Sequence, residues 1–132
     1  RHSEFNLEDE VTTLFQIWIE TDKPGARPGW GMKPFPKSDR TGKFQVLASG
    51  DPTDEALTIN ADARVLGATL KAGESLTYAL AEGRRAYLVP AVGAVEVNGV
   101  PLNARDGAAI RDEAEITISA KDDAELVMVD SL

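Results

Sequence analysis

Ala94-Val95-Glu96-Val97-Asn98-Gly99 carries a short alternating strand straight into a turn. A type I′ hairpin turn needs positive φ at both central residues, and Asn followed by Gly tolerates this best. From residue 44 onward the same logic repeats. β-branched and aliphatic segments are separated by Gly, Asn and Asp at intervals of about ten residues, the pattern of a sandwich or barrel. Strands are expected at Phe44–Ser49, Ala56–Ile59, Arg64–Leu70, Ser75–Leu80, Ala86–Val89, Ala94–Val97, Ala108–Arg111, Glu115–Ala120 and Glu125–Val129. Alternation turns Leu66, Ala68 and Leu70 inward, and likewise Leu76, Tyr78 and Leu80; Tyr78 and Tyr87 are read as core aromatics. Asp106-Gly107 is a second turn signal. Leu126-Val127-Met128-Val129 is apolar on both faces, so that strand is expected to be covered on both sides.

The first 43 residues differ. Leu14-Phe15-Gln16-Ile17-Trp18-Ile19 reads as a further strand added to the same barrel. From Thr21 to Lys43 four prolines and four glycines (Pro24, Pro28, Pro34, Pro36, Gly25, Gly29, Gly31, Gly42) exclude any regular element. A stretch of that length reads as a connector. Trp30, Met32 and Phe35 are its apolar anchors, expected to lie on the barrel or on a neighbouring molecule, and a homodimer is one way to cover them.

The chain has 132 residues and a mass of 14.2 kDa, the size of a single domain. No apolar run approaches the ~20 residues of a membrane-spanning helix, so no membrane role is expected. The absence of cysteine excludes disulfides, thiolate metal sites and thiol catalysis. The net charge is −8, and the excess acid lies entirely after residue 43, where seven basic residues face fifteen acidic ones. Such a surface is unsuited to phosphate neutralisation, so direct nucleic-acid binding is not expected. The chain starts at Arg1 rather than Met, which reads as processing or as a piece of something longer.

His2-Ser3-Glu4 is the one constellation that points to chemistry. Residues two apart on a strand share a face, so the His2 imidazole and the Glu4 carboxylate are within reach of one metal ion. This donor pair suits first-row metals, and the 2-His-1-carboxylate set is that of oxygen-activating iron. A metal site needs at least three protein ligands, however, and there is no second histidine. The pair also reads simply as two solvated residues of a frayed end. Ser3 faces away from His2 and makes no hydrolase dyad. Gly25, Gly29 and Gly31 lack the strand, helix and Gly-Lys-Ser/Thr of a phosphate loop. Arg84-Arg85 reads as a charged turn or as a clamp for an anion. The carboxylates Asp112, Glu113 and Glu115, and Asp122, Asp123 and Glu125, read as solvated turns.

Arg1-His2-Ser3-Glu4-Phe5-Asn6, Leu14-Phe15-Gln16-Ile17-Trp18-Ile19, Gly107-Ala108-Ala109-Ile110 and Asp123-Ala124-Glu125-Leu126 together resemble the pirin family of two-cupin proteins. The resemblance covers nearly the whole chain and implies an all-β, cupin-type jelly-roll barrel. Residues 1–20 would be remnant strands of an N-terminal cupin, 21–43 a connector, and 44–132 the C-terminal cupin. It implies that His2 and Glu4 match the later His-x-Glu pair of the N-terminal cupin's metal site. That half-site would be completed only by upstream residues, with iron or another divalent first-row metal bound in the longer protein and none held by this chain alone. Tyr78 and Leu80 stand where a metal-binding cupin has imidazoles, so the C-terminal cupin is expected to carry no metal. The resemblance further implies quercetin 2,3-dioxygenase activity in the longer protein, on a flavonol-like aromatic substrate, with this chain inactive alone. Other members act as iron-dependent partners of transcription regulators, so a non-enzymatic binding module working through protein partners is the alternative. A cytoplasmic location is expected.

Overall fold

A computed structural model describes residues 2–132, and Arg1, a member of the first quoted motif, lies outside the described residues. Ten strands follow in order: β1 Gln45–Ser49, β2 Leu57–Thr58, β3 Ala63–Leu70, β4 Ser75–Ala79, β5 Arg85–Val92, β6 Val95–Val97, β7 Val100–Leu102, β8 Ala108–Ile110, β9 Glu115–Ala120 and β10 Ala124–Ser131. They form a six-stranded sheet ordered β2-β1-β3-β10-β5-β8 and a four-stranded sheet ordered β4-β9-β6-β7. Every pairing is antiparallel except β1 with β2. The two sheets share no ladder. They are held together by side chains, and the fold is the all-β jelly roll expected of a cupin.

The inward positions meet in one core. Leu66, Ala68 and Leu70 of β3, Leu88 of β5, Ile116 and Ile118 of β9, and Leu126 and Met128 of β10 are all at most 2% exposed. Burying a side chain of this kind is worth about 1.5–3 kcal/mol. The hairpin at Asn98-Gly99 forms as expected, with φ of 46° and 83° and Val97 opposite Val100. Asn98 also stitches it to β9: its side-chain N–H donates to the Glu115 carbonyl, and its Oδ1 accepts from the Thr117 amide at 2.8 Å.

Several expectations are corrected. Leu14–Ile19 is not a strand: residues 2–36 contain no helix or strand, because nothing beside this segment supplies the ladder that an extended apolar run needs. The exposed surface, 9237 Å², accordingly exceeds the roughly 6,800 Å² of a compact monomer of this mass. The connector is not wholly irregular, since Lys37–Arg40 forms one 3-10 turn and Thr41 bridges to Thr69. Trp30 and Met32 are 90% and 82% exposed, so the sandwich does not cover them; Phe35 is half-buried. Tyr87 points outward and is 53% exposed, because Ala86 and Leu88 take the inward positions of β5. In β10, Leu126 and Met128 are buried while Val127 and Val129 are half-buried; Leu14, Phe15 and Val127 line one recess on the outer side. Among the described residues no helix is long and apolar enough to cross a membrane.

Candidate functional site

The structure brings His2 and Glu4 together. Nε2 of His2 lies 3.7 Å from Oε1 of Glu4, and their side chains are 57% and 68% exposed. Gln16, which the sequence reading placed on a strand and gave no chemical role, sits 2.8 Å from the same imidazole nitrogen. If its amide N–H donates to that nitrogen, the ring proton is on Nδ1 and the Nε2 lone pair faces Gln16. As a donor set the pair fits half a metal centre, one imidazole and one carboxylate. Among the described residues no group of three or more His, Cys, Asp or Glu side chains converges to hold an ion. Ser3 is exposed and enters no catalytic arrangement.

The interior positions are taken by other chemistry. Leu80 is buried in the core, and Tyr78 meets Phe44 edge to face with centroids 5.5 Å apart. The Tyr78 hydroxyl donates to Oδ2 of Asp130 and Nε of Arg84 donates to Oδ1, while Nη1 of Arg84 reaches Asp62 at 2.8 Å. Asp130 is 2% exposed. A carboxylate this deeply buried requires a paired cation and filled hydrogen-bonding positions, and both its oxygens are engaged. Burial, followed by the Asp130 hydrogen bond and charge, holds the Tyr78 phenol well above the usual tyrosine range. Burial pulls the Arg84 guanidinium down, and Asp62 and Asp130 more than offset it. Arg84 is therefore neither a free turn residue nor an anion clamp. It locks β10 to the β4–β5 loop.

A second network lies beside it. Oδ2 of Asp54 accepts from the Ser49 hydroxyl at 2.6 Å and from Nε of Arg64 at 2.8 Å, and these bonds hold the Asp54 carboxyl below its ordinary range. Of the acidic turns, Asp112, Glu113, Glu115, Asp122 and Asp123 are exposed. Glu125 is not a solvated turn residue: on β10 it bonds Lys37, Arg40 and Thr69, tying the 3-10 turn to the sheet.

Residues 46–131 match the family described as the quercetinase C-terminal cupin domain. A pirin-like protein of Caulobacter vibrioides is 67% identical over 132 residues, 99% of this chain and 57% of that protein. A quercetin 2,3-dioxygenase of Escherichia coli K12 is 33% identical over 98% of this chain and 55% of its own length. The bacterial pirin YhhW of Escherichia coli, solved in complex with nickel(II), superimposes with a TM-score of 0.76 at 28% identity, over 84% of this chain and 47% of that one. The chain thus spans about half the length of the curated relatives it matches. With its two-sheet cupin fold and these relatives, the chain belongs to the pirin family and carries that family's quercetinase C-terminal cupin domain.

Proposed function

We propose that the chain is the C-terminal, metal-free cupin half of a metal-dependent dioxygenase of the quercetin 2,3-dioxygenase type, with residues 1–20 belonging to the preceding cupin and 21–43 connecting the two. In this reading His2 and Glu4 supply two ligands of the catalytic metal, iron or another divalent first-row ion, in the longer protein. The observation that carries it is a separation of roles. Tyr78 and Leu80, which the family resemblance sets at cupin ligand positions, are a phenol committed to Asp130 and a core aliphatic side chain, whereas the imidazole and carboxylate stand side by side outside the sandwich. The nickel complex of YhhW and the dioxygenase name of the Escherichia coli relative support a metal and an aromatic, flavonol-like substrate in the longer protein.

A bound first-row ion supplies Lewis-acid and redox chemistry. This chain's part is to set the His2 imidazole and the Glu4 carboxylate side by side; a ligating Nε2 would exchange its Gln16 contact for the ion. The C-terminal sandwich then acts as a packed wall and performs no chemistry of its own. A cytoplasmic location belongs to the same proposal. Flavonol consumption by the longer protein tests it: His2→Ala should abolish turnover, and undiminished turnover overturns the ligand assignment. The alternative is a non-enzymatic module that works through protein partners, and the exposed Trp18, Trp30 and Met32 favour it. It predicts no flavonol consumption by the metal-loaded longer protein, together with partner binding that Trp30→Ala weakens.

A further inference from the structure

A recess on the outer face of the six-stranded sheet combines features that neither the core nor the half-site explains. Ala86 pairs with Ile110 and Tyr87 with Ala109 across β5 and β8, and Arg85 and Arg111 follow at the end of this ladder, where both line one recess. Glu82, Asp112 and Glu113 share an adjoining recess with Arg85 and Arg111, yet among the described residues the one ion pair made by either arginine is that of Arg111 with Asp112. Arg84 is committed to Asp62 and Asp130. Arg111 has only a 4.0 Å approach to Asp112, with both side chains more than 80% exposed, an interaction of little worth. Arg85 enters no ion pair among the described residues.

Arg85 and Arg111 line a recess of about 510 Å³ with Tyr87, Ala109, Val129 and Ser131, and no carboxylate lines it. That volume lies within the roughly 300–1,000 Å³ of small-molecule sites. Its aromatic wall is Tyr87, whose hydroxyl end lies over Gly107, where an added Cβ would stand 2.1 Å from Oη and 2.7 Å from Cζ, and whose ring remains 53% exposed. A half-exposed ring beside two guanidiniums, one without an ion pair among the described residues and the other held only at 4.0 Å by Asp112, matches a planar anion with an apolar body. Guanidinium recognises a carboxylate through paired N–H donors, and the ring, Ala109 and Val129 offer stacking and apolar contact.

We propose that this recess binds a small aromatic carboxylate, its anionic group between Arg85 and Arg111 and its ring beside Tyr87. The proposal is independent of the metal half-site, none of whose residues lines the recess. Titration of the 132-residue chain with benzoate at low ionic strength, with acetate and benzyl alcohol as comparisons, tests it. Benzoate should bind saturably at one per chain and about tenfold or more tighter than either comparison; Arg85→Ala and Arg111→Ala should each weaken it roughly tenfold, the scale of a lost charge-assisted hydrogen bond. Gly107→Ala should erase the preference for benzoate over acetate by displacing Tyr87, and should that variant not fold, Tyr87→Ala reads the same contribution. Arg85→Ala should not lower the melting temperature, because Arg85 is exposed and enters no ion pair among the described residues. A flat benzoate titration to about 10 mM, equal affinity in the arginine variants, or benzoate binding no tighter than acetate would each overturn the proposal.

Discussion

Replacing Arg84 by Met should be among the most damaging single changes outside the apolar core. The substitution keeps a chain of similar length but removes the cation from Asp130, which is 2% exposed and is bonded by Nε of Arg84 and the hydroxyl of Tyr78. Arg84 itself is only 16% exposed at the side chain, so solvent screens the pair weakly. Stripping one partner from such a pair costs about 3–5 kcal/mol, since the other charge stays buried without compensation. The lost contact with Asp62 adds little, because Asp62 is 53% exposed. Against a domain stability of about 5–15 kcal/mol, the loss should lower the melting temperature by about 10–20 °C at this chain length. Urea denaturation of wild type and variant gives the difference at constant slope. Asp130→Asn combined with Arg84→Met should recover part of it, because no charge is then buried. A single variant within about 1 kcal/mol of wild type would refute the reasoning, since it would show that water already solvates Asp130.

Asp54 has its carboxyl depressed by Ser49 and Arg64, so its contribution is present above about pH 4 and is lost as pH falls through the folded value. Asp54→Asn should therefore lower stability at neutral pH and flatten the acid limb of a stability-versus-pH profile. Tyr78 has its phenol raised, first by burial and then by Asp130; its contribution is complete below about pH 10 and falls as pH rises beyond that. Tyr78→Phe should remove this alkaline loss in denaturation at high pH, at a cost of roughly 1–3 kcal/mol near neutrality for the donor taken from Asp130. Ile118→Ala, at a position with no exposed surface, should cost about 2–5 kcal/mol by chemical denaturation. With Trp18, Trp30 and Met32 each more than 80% exposed, the isolated chain should self-associate in sedimentation at high concentration, and Trp30→Ser should shift it toward monomer.

The sandwich was legible because its signals are local. Period-two alternation found nine of the ten strands, and Asn98-Gly99 placed the hairpin. β7 escaped because Pro101 argues against a strand; it is tolerated because Val100–Leu102 is an edge paired on one side alone. Tyr87 failed by parity, since a shift of one residue exchanges the faces of a strand. Asp106-Gly107 marked a turn, yet the positive φ falls on Arg105, at 72°, while Gly107 lies under the hydroxyl end of Tyr87. Leu14–Ile19 has the composition of a strand without a partner in this chain to pair with. The Arg84–Asp130 lock joins residues 46 positions apart, and the Gln16 contact with His2 spans 14; neither separation leaves a periodic trace. His2 and Glu4 were found because their spacing and residue types carry metal chemistry even without geometry.

Metal content bears most directly on the assignment of this chain as half of a two-cupin dioxygenase. Elemental analysis should compare the isolated 132-residue chain, the longer protein and the longer protein carrying His2→Ala, each after exposure to iron and removal of loose ions. Two ligands on an exposed segment cannot fix an ion against water and chelator, whereas three or four can. The isolated chain and the His2→Ala protein should hold well under one metal per molecule and the longer protein about one. A full equivalent on the isolated chain, or on the longer protein after His2→Ala, would contradict the account.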